Sequence, residues 1–225
     1  LAVYAPVTAQ RLSMDLSGHW KAQLQSDSSD WRGKSGCYST EHFAMPGTTD
    51  TNGLGIVNNN KGETTHLSRI YRWFGKVEYS ITVDVPESWR GKCVRLLLER
   101  TKPTLVYWDG RLVGQSDDIS TRQEHWISKS VKSGLHKLVI IVDNGYSVPN
   151  QLMTSSHAYT EDTQTNWNGI LGDIRLEAMA QQHITNMTVV PDVAKKGIWV
   201  TFSTSRKMHR HDIFFVGVKP KNFKG

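Results

Sequence analysis

Apolar and polar residues alternate along much of this chain with a period of two. Val77, Tyr79, Ile81, Val83 and Val85 are interleaved with Glu78, Ser80, Thr82 and Asp84. That spacing gives an extended strand one dry face and one wet face, and Pro86 ends it. Val94, Leu96 and Leu98 repeat the pattern around Arg95. Leu105-Val106-Tyr107-Trp108 and Arg111-Leu112-Val113 are separated by Asp109-Gly110, a dipeptide suited to a hairpin turn in which both central residues need positive φ. Leu138-Val139-Ile140-Ile141-Val142 is a continuous apolar run of strand length, expected to lie centrally with both faces buried. Ile174, Leu176 and Ala178 add a further strand. The expected core is Val77, Ile81, Val94, Leu96, Val106, Leu138, Ile140 and Leu176.

Helical periodicity is nearly absent; Pro86 to Arg90 allows one turn at most. Two long polar segments, Pro46–Thr65 and Ser147–Asn168, read as loops, and loops of that length in a compact domain are usually functional or disordered. The expected fold is all-β, a jelly-roll β-sandwich over residues 11–180. A second pattern starts after Met179-Ala180-Gln181-Gln182. Its strands are Ile184–Pro191, Ile198–Phe202 and Ile213–Val216, about half of an immunoglobulin-like sandwich. Residues 181–225 are therefore expected to be a truncated immunoglobulin-like unit, with Val189, Trp199, Phe202, Phe214 and Phe215 left uncovered.

Composition changes this picture little. The chain of 225 residues carries a net charge of +6, which invites a nucleic-acid reading. The excess sits in the last twenty residues, where Arg206, Lys207, Arg210, Lys219, Lys221 and Lys224 face Asp212 alone. A short basic tail reads as a solvated strand edge, so no nucleic-acid partner is expected. No apolar run is long enough to span a bilayer as a helix, so no membrane anchor is expected. Residues 1–10 are apolar, uncharged and contain Val7-Thr8-Ala9, a small-x-small pattern like that before a signal-peptidase cut. They are expected to be a signal-peptide remnant, which places the protein in the periplasm or outside the cell. Cys37 and Cys93 lack partners at metal-ligand spacing. Whether they pair with each other is left open.

Candidate chemistry is sparse. No nucleophile elbow, phosphate loop or dinucleotide fingerprint occurs. The adjacent carboxylates Asp117-Asp118 and Glu161-Asp162 point in opposite directions on an extended chain and do not make a glycosidase pair. No catalytic residue, metal site or cofactor is expected. The most suggestive stretch is Ser155 to Leu176, whose loop carries His157, Gln164, Thr165, Asn166 and Trp167. Amides and hydroxyls suit sugar hydroxyls, and an aromatic face suits the C–H side of a ring. Trp167 has a second reading as a core anchor, and Gln164, Thr165 and Asn166 have one as caps for loop backbone.

Six segments carry a resemblance. They are Leu16-Ser17-Gly18-His19-Trp20, Met45-Pro46-Gly47-Thr48, Val77-Glu78-Tyr79-Ser80, Trp108 to Gly114, Val142-Asp143-Asn144 and Trp167 to Ile174. In this order they resemble the N-terminal sugar-binding, galactose-binding-like domain of glycoside hydrolase family 2, which includes β-galactosidases, β-glucuronidases and β-mannosidases. The resemblance runs from about residue 12 to 180, and Ile184 onward resembles the start of that family's immunoglobulin-like second domain. It implies a non-catalytic front part of a retaining, β-galactosidase-like enzyme that hydrolyses O-glycosidic bonds. The two catalytic glutamates would lie on a TIM barrel absent from these residues. The implied partners are that barrel and, through the whole enzyme, a carbohydrate substrate. The family loop ahead of the Trp-containing strand reaches a sugar subsite, often with an acidic or amide side chain. Thr165 and Asn166 stand there, and the missing acid departs from plain β-galactosidase specificity. The implied substrate-binding residues are His157, Gln164, Thr165, Asn166 and Trp167. The alternative is a free-standing carbohydrate-binding or structural β-sandwich module.

Overall fold

The structure is a computed structural model that describes residues 11–25, 34–59, 67–145, 151, 155–157 and 165–207. Expectations for residues 1–10, Gln164, Glu161-Asp162, the strand Ile213–Val216 and most of the basic tail lie outside those residues. The chain divides into two compact units, Leu1–Ala180 and Gln181–Gly225. Its strands are β1 (Leu12–Asp15), β2 (Gly18–Gln25), β3 (Gly36–Cys37), β4 (Ser39–Met45), β5 (Gly47–Thr48) and β6 (Gly55–Val57). They continue with β7 (Tyr71–Arg72), β8 (Lys76–Val85), β9 (Cys93–Leu98), β10 (Thr104–Trp108), β11 (Arg111–Ser116) and β12 (Gln123–Ser128). The last are β13 (Gly134–Asp143), β14 (Gly169–Ile170), β15 (Ile174–Met179), β16 (Ile184–Asp192) and β17 (Gly197–Thr204).

The first unit is an all-β sandwich. One sheet has six strands in the order β11-β10-β13-β8-β2-β4, and the other has four in the order β1-β15-β9-β12. Val77, Tyr79, Val106, Leu138, Ile140 and Val142 point inward from the larger sheet, and Val94, Leu96, Leu98, Ile174 and Leu176 from the smaller; all are fully covered. Covering a side chain of this kind contributes about 1.5–3 kcal/mol. Ile81 packs against this core but is only partly buried. The β13 run is central, as its composition suggests, yet it is dry on one face only: Val139 and Ile141 on the other face are half-buried. At the β10–β11 turn Asp109 has φ 49° and Gly110 φ 78°, so the turn takes the backbone that Asp-Gly favours. The segment Pro46–Thr65 is less loop-like than its sequence suggests, since it contains β5 and β6.

The outer face of the smaller sheet is held by charge. Glu177 is nearly buried and accepts two bonds from Arg95, from Nε at 3.1 Å and Nη2 at 2.8 Å. Arg175 approaches its other oxygen at 3.3 Å, and Arg11 stands at 3.6 Å. Burial pushes the Glu177 carboxyl up, but the hydrogen bond and charge of Arg95, with help from Arg175 and Arg11, hold it below its ordinary range. Cys37 is exposed and Cys93 buried, and the two are not bonded to each other.

The second unit is a hairpin of β16 and β17 among its described residues. Lys196, at φ 49°, precedes β17. The face of β17 that carries Trp199 is exposed and the one that carries Val200 and Phe202 is half-buried; Val189, Val190 and Trp199 are 49%, 51% and 60% exposed. Trp199 gives its indole N–H to Asp192 at 3.1 Å. No helix among the described residues is long and apolar enough to cross a membrane.

Candidate functional site

The Trp167 segment enters the sandwich through a close backbone contact. Gly169 opens β14, which pairs with β5 through Gly169–Thr48 and Ile170–Gly47. A side chain at Gly169 would place its Cβ 2.1 Å from the Gly47 carbonyl oxygen, and its φ is +140°. Only glycine fits there. Immediately before it, Asn168 is fully buried. Its amide donates to the carbonyls of Gly75 and Val142, both at 3.0 Å, and its oxygen accepts the Tyr79 hydroxyl at 2.9 Å. Burial drives the Tyr79 phenol well above its ordinary range, so it stays a donor.

Asn144 completes this polar node. Its side-chain oxygen accepts from Gly75 N–H at 3.0 Å, and its amide donates to the Trp73 and Asn166 carbonyls at 3.1 and 2.9 Å. Asn166 answers with its own amide on the Asn144 carbonyl at 2.8 Å. Arg69, also buried, donates through Nη1 to the Asn166 carbonyl at 2.7 Å and the Trp73 carbonyl at 3.3 Å. Three distant chain segments are thus tied together by amides whose bonds run to backbone. A buried network of this type rigidifies a loop base when satisfied and costs about 1–3 kcal/mol for each group left bare.

The expected site residues are split by this geometry. His157 is exposed, and Gln164 lies outside the described residues. Thr165 is half-buried, and its carbonyl accepts the Trp167 N–H at 3.0 Å. Trp167 is half-buried too, with the Lys102 ammonium 4.8 Å from its ring centre, a cation–π arrangement. Asn166 is fully buried, its backbone and amide fastening the loop to Asn144 and Arg69. Asn144 and Asn168 lie inside the motifs that carry the family resemblance, whereas nothing in the sequence marks Arg69 or Lys102.

Little reaction chemistry is assembled here. No group of three or more His, Cys, Asp and Glu residues suited to a metal occurs among the described residues. Asp118 is spent on its own turn, accepting the Thr121 hydroxyl at 2.5 Å and the Ser120 and Thr121 N–H groups at 2.8 and 3.1 Å. These bonds, that of the Thr121 hydroxyl foremost, hold its carboxyl below the usual range.

No family model matches the chain, and neither does any curated protein sequence. Solved structures do. A β-glucuronidase of an uncultured Clostridium sp. superposes with a TM-score of 0.62 at 16% identity, over 92% of this chain and 36% of its own. The β-glucuronidase of Faecalibacterium prausnitzii gives 0.59 at 19% identity, over 91% and 37%. That of Ruminococcus gnavus gives 0.60 at 16%, over 91% and 35%. The chain shares its fold with part of these enzymes. It spans about a third of their length, and at such identities the likeness concerns fold alone.

Proposed function

We propose that this chain is a non-catalytic part of a family 2 β-glycosidase and forms one wall of its sugar subsite. The observation that carries the reading is the shared fold with β-glucuronidases over nine-tenths of the chain. The six ordered sequence motifs point the same way. In this reading the node of Asn144, Asn166, Asn168 and Arg69 is the rigid base. Trp167, Thr165, Gln164 and His157 are the groups offered to a carbohydrate, with Asn166 assigned to support instead of contact. Hydrolysis belongs to a TIM barrel of the same enzyme, which is exported. The neighbours are named for β-glucuronide cleavage, so a uronide is the first substrate to try, ahead of the β-galactoside that the sequence resemblance suggests.

The test is an assay of the parent reading frame beside the 225-residue chain on nitrophenyl β-glucuronide, β-galactoside and β-mannoside. The parent should turn over at least one, and the chain alone none above a mock purification. Trp167→Ala in the parent should lower kcat/KM about fivefold, the size expected when one good ring contact worth about 1 kcal/mol is lost. Turnover by the chain alone, or a parent inert on all three, contradicts the proposal.

A further inference from the structure

A recess of about 350 Å³ lies on the outer face of the six-stranded sheet, where β8, β10, β11 and β13 run side by side. Its apolar floor is Leu105 and Ile141, which are register partners on β10 and β13. Around them stand Lys76, Gln115, Asp117 and Asp143. Lys76 and Asp143 are themselves cross-strand partners at the sheet's end. Asp143 is buried, and one of its oxygens accepts the Gly145 N–H at 2.8 Å, which fixes the carboxylate in place.

We propose that this recess binds a single non-acidic sugar ring of a glycan, independently of any subsite around Trp167. The volume is at the low end for small-molecule pockets, about 300–1,000 Å³, so it suits one ring and not a run of them. An apolar floor accepts the C–H face of a pyranose. The rim supplies an ammonium that donates, carboxylates that accept and an amide that does both, which is what neighbouring hydroxyls require. Charge narrows the class: one ammonium faces two carboxylates, so phosphates and uronates are repelled. The face continues past the recess. Tyr107 and Val139 follow Leu105 and Ile141 at two-residue spacing on the same side of their strands, and both are half-buried. Tyr107 therefore offers an aromatic edge to whatever the bound ring is attached to. The recess belongs to the sandwich itself, so sugar binding there and the glycosidase role can fail separately.

The test is a titration of the 225-residue chain followed by amide chemical shifts. The probes are the methyl β-glycosides of glucose, galactose and mannose, with methyl β-glucuronide as the anion and methyl β-glucosaminide as the cation. At least one neutral or cationic glycoside should move the amides of residues 104–105, 115–117 and 141–143, with a Kd of about 1 mM, as expected for a shallow single-ring site. Gln115→Ala and Asp117→Asn, both at exposed positions, should each weaken that binding about tenfold without altering the thermal transition. The proposal is overturned by shifts confined to the Trp167 region, by tighter binding of the anion than of every other probe, by binding that neither variant weakens, or by no binding of any neutral or cationic probe.

Discussion

Strand β13 and the β16–β17 hairpin are built from the same kinds of residue and end in opposite surroundings. Leu138, Ile140 and Val142 are fully covered, while Val189, Val190 and Trp199 stand about half exposed. Each strand has ladder partners, so pairing is not the difference. β13 lies under a second sheet and the hairpin, among the described residues, does not. A two-stranded ribbon has no layer to bury its side chains against and is marginal at best. The contrast shows that alternation in a sequence reports the strand, whereas stability comes from the layer across from it.

Truncating the core should therefore have the largest effect. Ile140→Ala is expected to destabilise the first unit by about 2–5 kcal/mol through lost burial and the cavity left behind. Val189→Ala should change it by no more than about 0.5 kcal/mol. Urea unfolding monitored in the first unit compares them, and equal losses would break the distinction. Arg95→Ala comes next. It strips the main partner from the nearly buried Glu177 and should cost about 3 kcal/mol, with Arg175 and Arg11 left as partial compensation. Asn144→Ala should remove about 1–3 kcal/mol by leaving the Gly75 N–H without its acceptor and the Trp73 and Asn166 carbonyls with their Arg69 donor but not their Asn144 one. Proteolysis near Trp167 should speed up in that variant.

The outcome at β12 explains where the sequence was hard to read. Its inward residues are Gln123, His125 and Ile127, and its outward ones include the exposed Trp126, so the usual pattern is inverted at Gln123, His125 and Trp126 and kept at Ile127. The inversion is stable because Thr104 from the opposite sheet bonds Gln123 Oε1 at 2.5 Å and lies 3.2 Å from His125 Nε2. Burial also lowers the His125 pKa, which favours the neutral ring. Strands β2 and β4 were harder to see because only every second residue of a largely polar run is buried. By contrast β8, β9, β10, β13 and β15 were plain, since their inward positions are apolar and the Asp109-Gly110 turn is encoded locally. The Trp167 region was legible as a place but not as a geometry. An asparagine in a loop looks the same whether its amide meets water or a carbonyl, and the partners of Asn166 come from residues 69 and 144, far away in sequence.

A smaller effect should appear with pH. The folded-state pKa of Glu177 is depressed, so its contribution is present above its ordinary value of 4.5 and is lost as pH falls through the lowered folded value. The first unit should thus lose urea resistance below about pH 5, and Glu177→Gln should flatten that slope. An unchanged slope would mean that other carboxylates dominate the acid limb. The smallest effect is expected from Trp199→Ser, which should leave the first unit's thermal transition unmoved while reducing self-association through the open hairpin.

Hydrogen exchange on the whole 225-residue chain tests the contrast most directly. The amides of Leu138–Val142 should exchange only through global unfolding of the first unit. Those of β16 and β17 should exchange through local opening, at least about a hundredfold faster. Equal protection in β13 and the hairpin would show that the second unit is covered as well as the first, and would contradict the account.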